Sequence, residues 1–408
     1  MVGNADERVS PPTTRVPLAS RWATSAAEYT EDPNPDDPFE MINELEYVSD
    51  PVNDDYFQFA EATYSIVHNA SFKRWAGPMD EHSKMNLNAA DPLSLNLLED
   101  ITPDVVAAIL DWLDENDEPS LLGAEREWYL SQDPPYEPRN GPFRSVAELE
   151  LVAGIWGDFV RGEDRNLNGR LDPNEDDGER AMPSDNADGV LDAGWSEWLT
   201  VHSVAGGATD SGEPRIHLRW ADAQDLVARC SINEAQAKAL INFGREDQAP
   251  IEQLLTVPLS TLAAASGGAG AAEPIEDLTD DQLRSVLAET SMYPPFERRP
   301  GKININTAPE DLIEDLLLAQ NFNTILIDSI IFLRNSRLEG ITSLLDLYEI
   351  VDVTPEIMDQ LARNFTTTSN VYTIAARGKS LVSGTEVEMI VRVDRSNLPI
   401  RIIEYREQ

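Results

Sequence analysis

The chain has 408 residues, 41% of them hydrophobic, enough for two or three domains with real cores. Against 31 Lys and Arg it carries 74 Asp and Glu, a formal net charge of −43. Such a surface repels nucleic-acid phosphates and anionic lipid headgroups, and it favours cations held by hard oxygen ligands.

Residues 1–50 are rich in Pro, Asp, Glu, Ser and Thr and read as a flexible acidic lead with one short helix near Pro38–Tyr47. Tyr56–Trp75 is aromatic and β-branched around an Asn-Ala-Ser turn, the pattern of a hairpin. An internal repeat follows: "MNLNAADPLSL" from Met85, "IHLRWADAQDL" from Ile216 and "ININTAPEDLI" from Ile303. Each opens with apolar–polar alternation, as a short strand does, then carries an Ala and a helix start. In the third copy Thr307 and Glu310 have capping-box spacing, with Pro309 in the first turn.

A second helix is expected in each copy. Its apolar face would be Val105, Val106, Ile109, Leu110 and Leu113 behind Thr102-Pro103 in the first. In the second it would be Ala235, Ala239, Leu240 and Phe243; in the third, Ile327, Ile330, Ile331 and Arg334 follow the same spacing. Later echoes at Phe143–Ile155, Ala249–Leu259 and Ile341–Val353 each read as a Leu-rich short helix ending near Val. Ala263–Ala272 reads as a small-residue linker.

The period changes at the C-terminus. Val387, Met389, Val391 and Val393 alternate with Glu386, Glu388, Ile390 and Arg392, and the flanking stretches are extended, which predicts a three-stranded antiparallel meander. A sheet this small needs a helix packed on it, and the N-terminal hairpin is the nearest other β material. The expected fold class is therefore α+β, an antiparallel sheet drawn from 51–84 and 368–408 with a helical domain, 85–367, inserted between. Within the insert, strand–helix–turn–helix units span 85–157, 215–262 and 302–367, separated by a segment at 158–203 and a linker at 263–282.

The sharpest local motif is "DRNLNGRLDPNE", Asp164 to Glu175, which fits the twelve-residue EF-hand calcium loop. Asp164, Asn166 and Asn168 stand at positions one, three and five, and Gly169 at six, where the chain turns sharply. Arg170 would offer its carbonyl at seven, Asp172 stands at nine and Glu175 is the bidentate ligand at twelve. A clear exiting helix is missing, given Pro173 and then "DDGERAMP", so the loop reads as EF-type without a full EF-hand. "SDNADGVLDAGWSEW" (Ser184–Trp198) is a degenerate echo, with Asp185, Asn186, Asp188, Asp192 and Glu197 as a possible second ligand set. "DWLDENDEPSLLGAERE" is a third acidic cluster, in which Asp111, Asp114, Asp117 and Glu125 are candidates.

Nothing points to an enzyme. The histidines, His68, His82, His202 and His217, are scattered, and there is no zinc-protease motif, nucleophile elbow, Walker loop or dinucleotide fingerprint. Cys230 is the single cysteine, so an intrachain disulfide and a zinc–thiolate cluster are excluded. No run of about 20 apolar residues is present, as a membrane span requires. The repeat units are also similar to helix-hairpin-helix (SAM-like) modules, but their turns lack the Gly-x-Gly that admits a DNA phosphate, and the charge opposes it.

Residues Met79–Ile155 resemble the minor pseudopilin K (general secretion pathway protein K) family of the type II secretion system. The marks are Lys84–Asn88, "ILDWLDENDEP", "GAEREWY", "PPYEPRNGPF" and "SVAELELVAGI"; "GKININTAPEDLI" and the C-terminal β segment continue the likeness over about 56–408. The resemblance implies a pilin-like sheet with an inserted helical domain that binds calcium. The "DEND…GAE" region, with Asp114, Asp117 and Glu125, matches the family's acidic loop. It implies a non-enzymatic role at the tip of the periplasmic pseudopilus, helping to initiate assembly with other minor pseudopilins, and secreted substrates or the outer-membrane secretin as further contacts. A pseudopilin begins with a basic leader and an apolar anchor helix, which this N-terminus lacks. The chain as it stands is thus expected to be soluble in the periplasm without membrane contact, its full-length form attached to the inner membrane. The main alternative on the residues alone is a calcium-stabilised extracellular or periplasmic scaffold or adhesion protein.

Overall fold

The computed structural model describes residues 57–59, 63–65, 74–76, 78–169, 171, 174–178, 180, 185–209, 211–245, 250–265, 275–380 and 386–407. The expected helix near Pro38–Tyr47 lies outside the described residues, as do Arg170 and Asp172. Both ends of the chain enter one antiparallel sheet. Its order is Phe57–Phe59, Val371–Ser380, Glu386–Asp394, Arg401–Glu407, and Met79–Asp80 also pairs with Val371–Ser380. Val371 faces Asp394 and Val393 faces Ile402, with an irregularity at Arg392/Val393. Thr63–Ser65 and Arg74–Ala76 form a separate antiparallel pair.

The buried face of Glu386–Asp394 is not the one the Val/Met alternation favours. Ile390 and Asp394 are buried while Val387 is exposed. The cause is Arg392, whose guanidinium turns inward to meet Glu81 at 3.0 Å. With a side-chain period of two, that places Ile390 and Asp394 on the same packed face.

Between the sheet strands, three segments share an order of elements. Each starts with a two-residue strand, Met85–Asn86, Ile216–His217 or Ile303–Asn304. Each closes by parallel pairing with a second short strand, Leu199–Thr200, Thr290–Ser291 or Phe365–Thr366. In between lie Pro92–Leu95 and Pro103–Leu113, Ala223–Cys230 and Glu234–Phe243, and Glu310–Ala319 and Thr324–Ser336. The Leu-rich echoes are 3₁₀ helices at Val146–Leu151, Ile251–Leu255 and Leu344–Glu349. The first and third segments bury one common core that includes Leu87, Ile109, Trp112, Ile305, Leu316 and Ile330. The second has its own, around Leu218, Leu226, Leu240, Phe243 and Val286.

Asparagines lock the first and third segments in the same way. Asn86 accepts from the Asn88 N–H (2.9 Å) and donates to Ser203 (2.8 Å), as Asn304 accepts from the Asn306 N–H (2.9 Å) and donates to Ser369 (2.7 Å). The Asn88 amide clasps both backbone groups of Phe143, at 2.7 and 3.0 Å; Asn306 clasps those of Ile341, at 2.8 and 2.9 Å. The second segment has His217 and Arg219 at these two places.

Three local expectations change. The Thr307–Glu310 capping box does not form: the Thr307 hydroxyl donates to Asp80 (2.5 Å), and Glu310 turns to Arg334 (2.8 Å). Ala235 is exposed rather than part of the apolar face. The helix starts at Glu234, with Asn233 and Gln236 forming the capping box, and Gln236 is buried because its amide reaches the Glu276 and Asp277 carbonyls. The linker region is partly helical, since Leu259–Ala265 and Asp280–Glu289 are helices.

The sheet is fastened to the helical segments through Asp80 and Glu81. Asp80 accepts from Thr307 and Ser369 of the third segment, each at 2.5 Å. Glu81 accepts from Thr200 of the first, and from Thr373 and Arg392 of the sheet. Burial pushes the Asp80 carboxyl up. For Glu81 burial acts the same way, but the charges of Arg392, His202 and Lys84 outweigh it and hold the carboxyl well below its usual range. Among the described residues no helix is long and apolar enough to cross a membrane.

Candidate metal centre

The Pro103–Leu113 helix begins on Thr102 with Pro103 at its first position and ends at Asp114. Asp111 and Asp114, three residues apart, therefore stand together at its C-terminal end. The chain then loops out and returns at Glu125, which opens the short helix Arg126–Leu130. That return is fixed from below, where Trp112 packs edge-on to Tyr129 (5.2 Å) and stacks on Phe143 (6.1 Å). Gly123 makes the approach possible: a Cβ there would lie 1.9 Å from Asp111 Oδ2.

One carboxylate oxygen from each of Asp111, Asp114 and Glu125 comes within 4.8 Å of the others. Asp111 and Glu125 are buried, at 2% and 3% exposure. Asp111 Oδ2 accepts from the Ser120 N–H (3.1 Å), and Asp114 accepts from the Asn116 N–H (3.0 Å). Neither oxygen of Glu125 meets a hydrogen-bond partner. Its carboxyl is pushed up to about 7, first by burial and then by the charges of Asp111, Asp114 and Asp117.

Among the described residues the other well-buried carboxylates are satisfied. Glu148 is held by Arg139 and the Arg144 N–H, Asp346 by Arg284 and Thr342, and Asp394 by Arg298 and the Ser396 N–H. Glu125 is the exception, and an unpartnered buried carboxylate beside two others is costly. A divalent cation would relieve the cost. The donors are all hard oxygens, with no thiolate or imidazole, which fits calcium better than zinc. Of the four residues proposed from sequence, Asp111, Asp114 and Glu125 are thus brought together. Asp117 is diverted, its carboxylate accepting from Asn140 (2.9 Å).

The Asp164–Glu175 loop is closed on itself. Asp164 accepts from the N–H groups of Asn168 (3.0 Å) and Gly169 (2.8 Å), which are positions five and six of the motif. Asn166 also accepts from Asn168 (2.9 Å), and Glu175 accepts from the Arg165 N–H (2.9 Å). Gly169 has φ +70°, the left-handed turn that the sixth position requires. Asp164, Asn168 and Glu175 are buried, so the acidic ends face into the loop. Burial pushes the Asp164 carboxyl up. From the sheet, the Arg406 guanidinium donates to the carbonyls of Asn166 (2.9 Å) and Leu167 (3.1 Å).

The second acidic stretch is used differently. Asp185 accepts from the N–H groups of Asp177, Gly178 and Ala187. Asn186, Asp188 and Asp192 each accept from the N–H two residues on, the geometry of Asx turns. Glu163, which sequence spacing did not single out, spans the stretch by accepting from Asn186 (3.4 Å) and Asp192 (3.2 Å). Burial, with Asp192 and Asp185 beside it, raises its carboxyl. Glu197 lies instead in the field of the Lys84 ammonium, which donates to the Ser196 carbonyl (2.8 Å).

Residues 81–162 match the family model of the type II secretion system protein K, first domain. A curated relative, the type II secretion system protein K of Klebsiella pneumoniae, is 45% identical over 51 residues. That stretch is 12% of this chain and 16% of the relative, so the match spans about one sixth of the relative's length. Among solved structures, the GspK–GspI–GspJ complex from the enterotoxigenic Escherichia coli type 2 secretion system aligns over 96% of this chain and 92% of that chain. Its identity is 12% and its TM-score 0.38. The sequence resemblance to the protein K family is thus borne out over the segment that carries the Asp111–Asp114–Glu125 cluster.

Proposed function

We propose that this chain acts as a protein K-type minor pseudopilin of the type II secretion system. The observation that carries this reading is the family match over 81–162, which includes the aromatic core and the acidic cluster built on it. The role is non-enzymatic. The chain works in the periplasm as part of an assembly tethered to the inner membrane, at the pseudopilus tip, where it joins the other minor pseudopilins and helps initiate assembly. In this reading the antiparallel sheet is the pilin-like body and the three strand-and-helix segments are copies of one unit inserted into it. The matching asparagine clasps of the first and third support that.

Calcium is the proposed stabilising ion. Asp111, Asp114 and Glu125 form one site, supported by the unpartnered buried Glu125 carboxylate. The Asp164–Glu175 loop forms another, supported by the inward-facing Asp164, Asn168 and Glu175. The Asp185–Asp192 stretch is a weaker candidate, since its side chains already cap backbone N–H groups, with Glu163 as an added oxygen donor.

The assembly reading is tested by co-expressing the chain with other minor pseudopilins of a type II secretion system and separating the mixture by size. A stable complex that co-elutes is expected, and failure to associate in the presence of calcium would count against the reading. For the metal, chelator should lower the melting temperature, calcium should restore it, and Glu175→Ala should remove part of the response. An unchanged melt with chelator would reject both calcium sites.

A further inference from the structure

Two exposed segments depart from the acidity of the rest of the chain. Residues 293–302 and 395–401 hold five basic residues against one acid, Glu297, in a chain with 31 basic and 74 acidic residues. They are neighbours in space. Arg298 pairs with Asp394 at 2.7 Å, and both segments are tied to the stretch at 204–209. The Ala205 N–H donates to the Arg299 carbonyl (2.9 Å), and those of Gly207 and Ala208 donate to the Ser396 carbonyl (2.8 and 2.9 Å). Gly207 fits so closely that a Cβ would lie 2.0 Å from the Pro295 carbonyl and 2.6 Å from Asn397 Oδ1. These contacts hold the two segments closely against that stretch.

Large apolar groups stand on these segments. Phe296 is 72% exposed and Leu398 58%, with Tyr293 and Ile400 beside them. The Arg299 guanidinium lies over the Tyr293 ring, 3.4 Å from its centroid. Lys302 is engaged with Glu252 and the Ala362 carbonyl, and Asp394 neutralises Arg298. Arg299, Arg395 and Arg401, less Glu297, therefore leave a local positive excess of two. Aromatic and arginine side chains on a pre-formed platform are the composition of an interface centre, and the arginine fork matches a carboxylate.

We propose that this surface docks an acidic segment of a different polypeptide, one in which carboxylates flank an apolar or aromatic side chain. Charge complementarity selects that occupant. A second copy of this chain is disfavoured, because a two-fold contact would set the arginines of one patch against those of the other. At physiological salt the screening length is about 8 Å, so an acidic segment that reaches the patch meets the local arginines rather than the distant carboxylates.

The probe is a dye-labelled copolymer of glutamate and tyrosine, titrated with the whole chain by fluorescence anisotropy. Saturable binding is expected at about 50 mM salt, weakening about tenfold or more by about 500 mM. The double variant Arg299→Glu with Arg401→Glu should weaken it about tenfold or more at an unchanged melting temperature, and Phe296→Ala should weaken it at low and high salt alike. Polyglutamate without tyrosine should bind less well. Equal binding by the parent and the double variant would overturn the proposal. So would sedimentation that shows a dimer abolished by Arg401→Glu, which would make the occupant a second copy.

Discussion

Replacing Glu125 with Gln should stabilise the calcium-free protein at pH 8 and destabilise the calcium-loaded one. The reasoning starts from a carboxylate with no hydrogen-bond partner, within ligand distance of Asp111 and Asp114. Burial and those neighbours push its carboxyl from 4.5 up to about 7. At about 1.36 kcal/mol per pH unit, ionising it in the folded protein costs at most about 3 kcal/mol. Water at the edge of the cluster screens the neighbouring charges, so about 1–2 kcal/mol is expected. Because the folded value lies above the unfolded one, the stability is fully present below about pH 4.5 and is lost as pH rises through about 7. A neutral amide of the same shape does not incur that loss. With calcium bound the order inverts, since the amide removes a charged ligand and affinity should fall on the order of tenfold or more.

Urea unfolding at pH 5 and pH 8, each with chelator and with calcium, measures all four corners. The expected pattern is near-equality at pH 5 in chelator, a more stable Glu125→Gln variant at pH 8 in chelator, and a less stable one at pH 8 in calcium. The reasoning fails if the variant is no more stable than the parent at pH 8 in chelator, or if calcium leaves the order unchanged.

Gly123→Ala should halve the calcium-dependent gain in melting temperature or worse, because its Cβ would lie 1.9 Å from Asp111 Oδ2 and must displace that carboxylate. Differential scanning calorimetry with and without calcium reads this. Asn88→Ala should cost about 1–3 kcal/mol in urea unfolding by stranding both backbone groups of Phe143, and Asn306→Ala should cost a similar amount at Ile341. Arg392→Met should cost about 3–5 kcal/mol near neutral pH, since it leaves Glu81 buried without its guanidinium. The parent's benefit from Glu81 is present above its unfolded value near 4.5 and is lost as pH falls. The gap between the two proteins, read by circular dichroism melts at pH 7 and pH 3, should therefore narrow in acid.

What could be read from sequence was what depends on neighbours a few residues apart. The antiparallel meander at the C-terminus showed through its alternation, and the sharp turn at Gly169 showed through the glycine at that place in the motif, because both devices are local. The packed face of Glu386–Asp394 did not show. Arg392 is drawn inward by Glu81, 311 residues earlier, and no local pattern carries that pairing. The helix Asp280–Glu289 had its signal in place, Thr279 and Gln282 at capping-box spacing, but it follows a small-residue tract that reads as a linker.

The acidic cluster shows the same limit at higher cost. With 74 carboxylates in the chain, proximity in sequence says little about which of them share a cation. Asp111 and Asp117 are both candidates in the sequence, and spacing does not separate them. The fold chooses between them through two contacts that spacing does not encode. Asn140, from a later loop, takes the Asp117 carboxylate. Gly123, having no side chain, lets Asp111 come against the returning loop. The useful signal is therefore not acidity but the failure to neutralise it. Where this protein buries Glu81, Glu148, Asp346 or Asp394, it supplies an arginine to each. At Glu125 it buries a carboxylate next to two more and supplies none, an arrangement that becomes favourable when the missing positive charge comes from a bound ion.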